Sequence, residues 1–250
     1  MRKPLVAGNW KMNGNSASIK ALLDGLLSGK AANGSAEVAV CSPFVYIPLV
    51  AEIVSGSNIA VGAQDVAVEE VGAYTGEVSG AMLKDVGCHY VLVGHSERRS
   101  LYGETDSMVA QKFAAAQRDG LVPILCVGET LDERESSMTE AVVEKQLAAV
   151  ALYSGVKALN KAVIAYEPVW AIGTGMTATP EQAQAVHAFI RHWIEKQDAE
   201  LAAKVRILYG GSMKGSNAAE LMAQPDIDGG LVGGASLQAE EFLTICRAAG

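Results

Sequence analysis

The chain contains no apolar run that approaches the ~20 residues a membrane-spanning helix needs. A helical membrane protein is therefore not expected. Its first ten residues, Met1-Arg2-Lys3-Pro4-Leu5-Val6-Ala7-Gly8-Asn9-Trp10, turn polar too early to form the apolar core of a secretory signal, which points to a cytoplasmic protein. Cysteine is scarce and scattered. Cys41, Cys88, Cys126 and Cys246 form no C-x-x-C pair and have no histidine at metal-ligand spacing, so neither a disulfide framework nor a zinc site is expected. They read as reduced, partly buried small hydrophobes. Aromatic residues make up only 6% of the chain, the formal net charge is −8 and no basic stripe occurs, which argues against nucleic acid or an anionic membrane as partner. With that balance the global field would not attract an anionic substrate, so attraction must come from a few lysines and from helix N-termini. Also missing are a Pro/Ser-rich linker, a low-complexity tract and a charge run that would divide the chain.

What the chain does have is apolar material and rhythm. Half of its 250 residues are hydrophobic, enough for one large core. Short β-branched or apolar runs recur at 5–9, 38–41, 59–63, 90–94, 122–127, 162–167, 205–209 and 229–232, each followed by a helix-like pattern. Thr179-Pro180-Glu181-Gln182 combines an N-cap threonine, a first-turn proline and a glutamine able to close a capping box, and predicts a helix through Trp193. Thr105 and Asp119-Gly120 bracket another helix over 105–118. Eight βα units in this length predict the α/β class, a (β/α)8 barrel of eight parallel strands forming one domain over residues 1–250. A doubly wound open sheet is the alternative, but no G-x-G-x-x-G follows the first run.

In such a barrel chemistry belongs at the C-terminal ends of the strands. Asn9 and Lys11 share parity with Leu5 and Ala7 and should point into the mouth. Gln64 follows the third run, and Val91, Val93 and His95 share one parity at the end of the fourth. Glu167 ends the sixth, in phase with Val163 and Ala165, and Pro168 starts a stiff corner after it. Gly210-Gly211-Ser212 follows the seventh run and Gly233-Gly234 the eighth. Taken singly these residues have ordinary readings: a solvated lysine, a structural histidine, a strand that ends in Glu-Pro, glycine turns. His89, His187 and His192 are read as structural. The barrel, however, places all the strand ends around one mouth, and chance does not account for Lys, His, Glu and Gly-Gly gathering there.

The residue types suggest the chemistry. A carboxylate in a dry pocket has its pKa raised toward neutrality and becomes an effective general base, worth roughly 10²–10⁴ in rate. No second acid at glycosidase spacing accompanies Glu167, and no nucleophile elbow is present. Glycine pairs after the seventh and eighth strands suit phosphate. A small phosphate ester carrying a carbonyl fits this set.

Five motifs then carry a resemblance. Gly8-Asn9-Trp10-Lys11, Gly94-His95-Ser96-Glu97-Arg98-Arg99, the stretch 165–175, Tyr209-Gly210-Gly211-Ser212 and Leu231-Val232-Gly233-Gly234-Ala235-Ser236-Leu237 resemble, in order and over the whole chain, the triosephosphate isomerases. The resemblance implies interconversion of dihydroxyacetone phosphate and D-glyceraldehyde 3-phosphate, a step of glycolysis and gluconeogenesis, without cofactor or metal. It implies Glu167 as base, neutral His95 as electrophile, Lys11 and Asn9 as stabilisers of negative charge, and Glu97 as part of the site. Substrate would be held by Asn9, Lys11, Gly173, Ser212, Leu231, Gly233 and Gly234. Pro168, Val169, Trp170, Ala171, Ile172, Gly173, Thr174, Gly175, Met176, Thr177 and Ala178 would form a lid with hinges at both ends. Tyr209 and Ser212 would hold it closed, and Glu129 would meet Trp170 when it is open. The loop with Tyr74, Thr75 and Gly76 would reach into a second subunit, giving a homodimer. Two departures stand out: Met176 where lysine is common, bearing on lid kinetics, and Asp65 where asparagine is frequent, adding charge near the subunit contact.

Overall fold

The computed structural model describes residues 2–29, 35–173 and 175–250. Thr174, at the predicted lid tip, lies outside them. The strands are β1 (Leu5–Asn9), β2 (Glu37–Ser42), β3 (Ile59–Ala63), β4 (Tyr90–Val93), β5 (Val122–Val127), β6 (Val163–Tyr166), β7 (Arg206–Tyr209) and β8 (Gly229–Val232). They pair in parallel in sequence order, and β8 returns to β1 with Leu5 opposite Gly229, so the expected barrel is closed. Its helices among the described residues are α1 (Ser16–Ser28), α2 (Ile47–Ile53), α3 (Gly80–Asp85), α4 (Ser96–Tyr102), α5 (Asp106–Arg118), α6 (Leu131–Glu135), α7 (Thr139–Ser154), α8 (Pro180–Glu195), α9 (Ala199–Ala202), α10 (Gly215–Met222) and α11 (Ala239–Ala248). Both predicted caps hold. Thr105 accepts from Met108 N at the start of α5, and Thr179 closes a capping box with Gln182 at the start of α8, which runs two residues past Trp193.

Parity along the strands divides the core in two. Leu5, Ala7, Ala39, Tyr90, Leu92, Ile124, Val163, Ala165, Leu208 and Leu231 fill the barrel, while the alternate positions pack against the helices. The N-terminal end of the barrel is sealed by a polar cluster from three strands. Tyr90 donates to Glu37 Oε1 at 2.5 Å, and Arg206 donates to Glu37 Oε2 at 2.8 Å and to the Tyr90 hydroxyl at 2.9 Å. Burial would raise the Glu37 carboxyl, but those two donors hold it below its ordinary value. Access to the interior is therefore left to the opposite end.

Behind β6 and β7, α8 is fastened to the segment before β8. Arg191 donates to Asp226 at 2.5 Å and to Asp228 at 2.7 Å, and fully buried His187 places Nδ1 3.1 Å from the Asp226 carbonyl. A carbonyl only accepts, so Nδ1 carries a proton. Burial, opposed by the Asp226 carbonyl and the Asp228 charge, lowers its pKa to about 4. Unfolded histidine binds its proton near 6.5, so this contribution to stability is full above that pH and is lost as pH falls toward about 4. Thermal unfolding measured across this window should show stability falling with pH by up to about 3 kcal/mol, and His187→Asn should flatten that slope. An unchanged slope in the variant would place the titrating group elsewhere.

Candidate active site

The C-terminal strand ends enclose a cavity of about 510 Å³. It is lined by Asn9, Lys11, His95, Glu167, Gly173, Ser212, Leu231, Gly233 and Gly234, so every residue expected to hold substrate faces one space. Glu97 stands outside that lining and reaches it through Lys11 Nζ, which donates to Glu97 Oε1 at 2.5 Å.

Local backbone choices aim these groups. Lys11 has φ of 52°, a left-handed conformation that disfavours a residue with a β-carbon and costs on the order of 1 kcal/mol. It is held there from both sides: its amide donates to Asn9 Oδ1 at 3.0 Å, and Gln64 Nε2 donates to its carbonyl at 2.9 Å. His95 departs from the parity read in the sequence. Val91 and Val93 face the helices, and the intervening Gly94, with φ of 71°, turns the chain so that His95 enters the cavity. The histidine then caps α4, with Nδ1 accepting from the Glu97 amide at 3.2 Å.

Glu167 lies one residue beyond β6 and is 2% exposed. The Ser96 amide, first in α4, donates to Oε2 at 2.9 Å, and the Ser96 hydroxyl stands 3.4 Å from Oε1. His95 Nε2 is 2.9 Å from Oε1. Because Nδ1 of that ring accepts from Glu97, a second ring proton would break the helix cap. The geometry therefore keeps His95 neutral, with its proton on Nε2 and directed at the carboxylate. Burial favours this neutral form, but the Glu167 and Glu97 carboxylates outweigh it and raise the pKa above its ordinary value, so the neutral ring rests on the Nδ1 cap. For Glu167 burial is the largest influence and raises the pKa, but His95 and the Ser96 amide outweigh it and hold the carboxyl below its ordinary value. In this position Glu167 is ionised and retracted against α4.

The segment after Glu167 borders the cavity. Val169–Ala171 forms a single 3-10 turn, Ile172 and Gly173 line the cavity, and Met176 is exposed. The Trp170 indole donates to Glu129 Oε1 at 2.9 Å, where the Tyr166 hydroxyl also donates at 3.1 Å and Arg134 at 3.2 Å. The Arg134 guanidinium lies over the Trp170 ring at 4.6 Å. Tyr209 makes no hydrogen bond to the segment: the Ala178 amide approaches its hydroxyl without reaching ordinary bonding geometry.

Some participants were not singled out from the sequence. Ser96 stood in the sequence only as part of the motif over residues 94–99, yet its amide anchors the carboxylate, and Gln64 was noted without a task. Lys214, Gln238 and Glu241 extend the cavity wall beyond the glycine pairs. Their one signal was position, just past the seventh and eighth strand ends. Gly128 carried no motif, but a β-carbon there would lie 1.7 Å from the Glu167 carbonyl oxygen. Gly128→Ala should displace Glu167 and lower kcat by at least ~10²-fold, since misplacement by about 1 Å can cost that much. Steady-state kinetics on protein whose near-UV circular dichroism is native would check this. Full turnover in such folded protein would show that the close approach does not position the carboxylate.

Residues 4–249 match the protein-family model described as triosephosphate isomerase. Over its full length the chain is 62% identical to all of the triosephosphate isomerase of Nitrosococcus oceani. It is 63% identical to that of Thiobacillus denitrificans over 249 residues, 100% of this chain and 99% of the other. With the enzyme of Psychromonas ingrahamii it shares 58% identity over all of both chains.

Proposed function

The chain belongs to the triosephosphate isomerase family and interconverts dihydroxyacetone phosphate and D-glyceraldehyde 3-phosphate, and from that premise we propose that Glu167 is the base that moves the proton, with His95 as electrophile. The observation that carries this is the meeting of a buried carboxylate, a neutral imidazole whose Nε2 lies 2.9 Å away, and a lysine on one cavity. Glu167 takes a proton from one carbon of the substrate and returns it to the next. His95 Nε2–H donates to the carbonyl oxygen and then to the enediolate, while Lys11 and Asn9 face the negative charge as it develops. Glu97 holds the Lys11 ammonium in place. Backbone amides of Gly173, Ser212, Gly233 and Gly234, with Leu231 beside them, receive the phosphate.

The retracted carboxylate explains why closure matters. Against Ser96 it is stabilised as an anion and so is a weak base. Once it leaves those donors for the substrate, burial is opposed chiefly by the Lys11 charge and its proton affinity rises. Residues 168–178 form the lid, held open by the Trp170–Glu129 bond and received on closing by Tyr209 and Ser212. Closure excludes water, which strengthens the electrostatics and protects the intermediate from loss of phosphate.

We extend the proposal to one catalytic domain over residues 1–250, located in the cytoplasm, and to a homodimer. The dimer is supported by apolar side chains beyond the first four strand ends. Met12 is 94% exposed and Val71 84%, with Val45, Tyr74, Leu101 and Tyr102 also open to solvent, an array unusual for a monomer. A two-fold contact there would carry the loop with Tyr74, Thr75 and Gly76 toward Asn9 and Lys11 of the other copy. Asp65 bears on this face without a loose charge, since Lys112 at 2.6 Å and Arg98 at 2.9 Å pair it internally.

In deuterated water, dihydroxyacetone phosphate should exchange carbon-bound hydrogen and yield labelled glyceraldehyde 3-phosphate. Glu167→Asp should keep the charge yet lose at least ~10²-fold in kcat by retracting it one methylene; near-native turnover would remove Glu167 from the mechanism. Sedimentation equilibrium at micromolar concentration should return twice the chain mass, whereas a fully active monomer would exclude the proposed dimer.

A further inference from the structure

Buried polar atoms in folded proteins are nearly always paired, so the exceptions call for an explanation. Among the described residues two of these exceptions sit on neighbouring rings: His187 Nε2 and the Tyr209 hydroxyl. The ring of His187, projecting from α8, meets Tyr166 edge-on with centroids 5.8 Å apart and Tyr209 at 6.5 Å with a tilt of 36°. Its Nδ1 proton is committed to the Asp226 carbonyl, so Nε2 presents a bare lone pair in a site without solvent. It is a buried acceptor in search of a donor.

Of the two tyrosines it touches, one shares Glu129 with Trp170 and the other is approached by the Ala178 amide. Tyr166 gives its proton to Glu129, the residue that also holds Trp170. The Tyr209 hydroxyl lies beside Pro168 and over Gly211, where a β-carbon would come within 2.3 Å of it, and the Ala178 amide approaches it from the far end of the lid. That amide can only donate. When it closes onto Tyr209, the hydroxyl oxygen accepts, and the hydroxyl proton must then find its own acceptor.

We propose that His187 is a positioning residue for lid closure, its Nε2 accepting the Tyr209 hydroxyl proton, directly or through one buried water, as the Ala178 amide binds the oxygen. The reading of Tyr209 as the closed-state latch underlies this inference. A hydroxyl that donates and accepts at once is a better acceptor than one whose proton is unused, because each bond polarises the other. His187 thus contributes nothing while the lid is open, which is why both groups are unpaired in this structure, and contributes only on closing. The Asp226 anchor sets the tautomer on which this depends.

Two substitutions separate this role from a structural one. Asparagine keeps a donor at the place of Nδ1 and removes Nε2; glutamine supplies an amide oxygen near Nε2 and gives up the Asp226 bond. The probe is 2-phosphoglycolate, a phosphate ester whose carboxylate imitates the enediolate, with phosphate released per turnover as a second readout. His187→Asn should weaken 2-phosphoglycolate binding by about tenfold, the effect of one ordinary hydrogen bond, and raise phosphate release, with His187→Gln near wild type. In a Tyr209→Phe background His187→Asn should add nothing further. A structural role predicts the reverse order, with Asn like wild type and Gln impaired, and that result overturns the proposal. Loss of binding in Tyr209→Phe without loss in His187→Asn also overturns it while leaving the latch intact; no loss in Tyr209→Phe rejects the latch itself. The unmodified enzyme provides a test free of folding artefacts. Its His187 Nε2 nitrogen resonance should move upfield by several ppm when 2-phosphoglycolate is added, and an unmoved resonance overturns the proposal.

Discussion

A carboxylate that is 2% exposed is the constraint on which the other arrangements depend. Taking a charge out of water costs several kcal/mol unless donors replace the lost hydration. Glu167 meets that demand with the first amide of α4, the Ser96 hydroxyl and the His95 Nε2 proton. Each donor has a structural origin of its own. The amide is available because a helix starts there, and the imidazole proton is on Nε2 because Nδ1 caps the same helix. One short helix thereby supplies a donor to the carboxylate and an amide to the imidazole beside it. The left-handed backbone of Lys11 belongs to the same economy, since Asn9 and Gln64 clamp it so that the ammonium meets Glu97 at the rim.

The surroundings of the lid use buried polar groups differently. Glu129 gathers three donors on one oxygen, and its other oxygen has none. Tyr209 and His187 each retain an unused site. A static core would remove such groups or pair them, because an unmet buried partner costs about 1–3 kcal/mol. Here they cluster beside the segment proposed as the lid.

Much of this was legible in the sequence because barrel architecture turns spacing into proximity. Eight apolar runs followed by helix signals specify strands whose ends share a rim, so Lys11, His95, Glu167 and the glycine pairs could be brought together without distances. The capping signals at Thr105 and Thr179 are local chemistry and were realised as written. What escaped was either a matter of close approach or a local reversal of parity. Gly128 serves by the absence of a side chain next to a backbone forty residues away, which no pattern encodes. His95 faces the cavity only because Gly94 turns the chain, whereas simple alternation with Val91 and Val93 places it among the helices. His187 looked like an ordinary core histidine, and only its bare nitrogen beside Tyr209 suggests more.

The cluster of Tyr90, Glu37 and Arg206 at the N-terminal end of the barrel has a bearing on traffic. With that cluster across one end and the interior filled, the cavity among the described residues opens at the C-terminal strand ends. Substrate, product and displaced water that use this neck must pass it in turn. The frequency with which the neck clears therefore sets an upper bound on turnover however fast the proton moves.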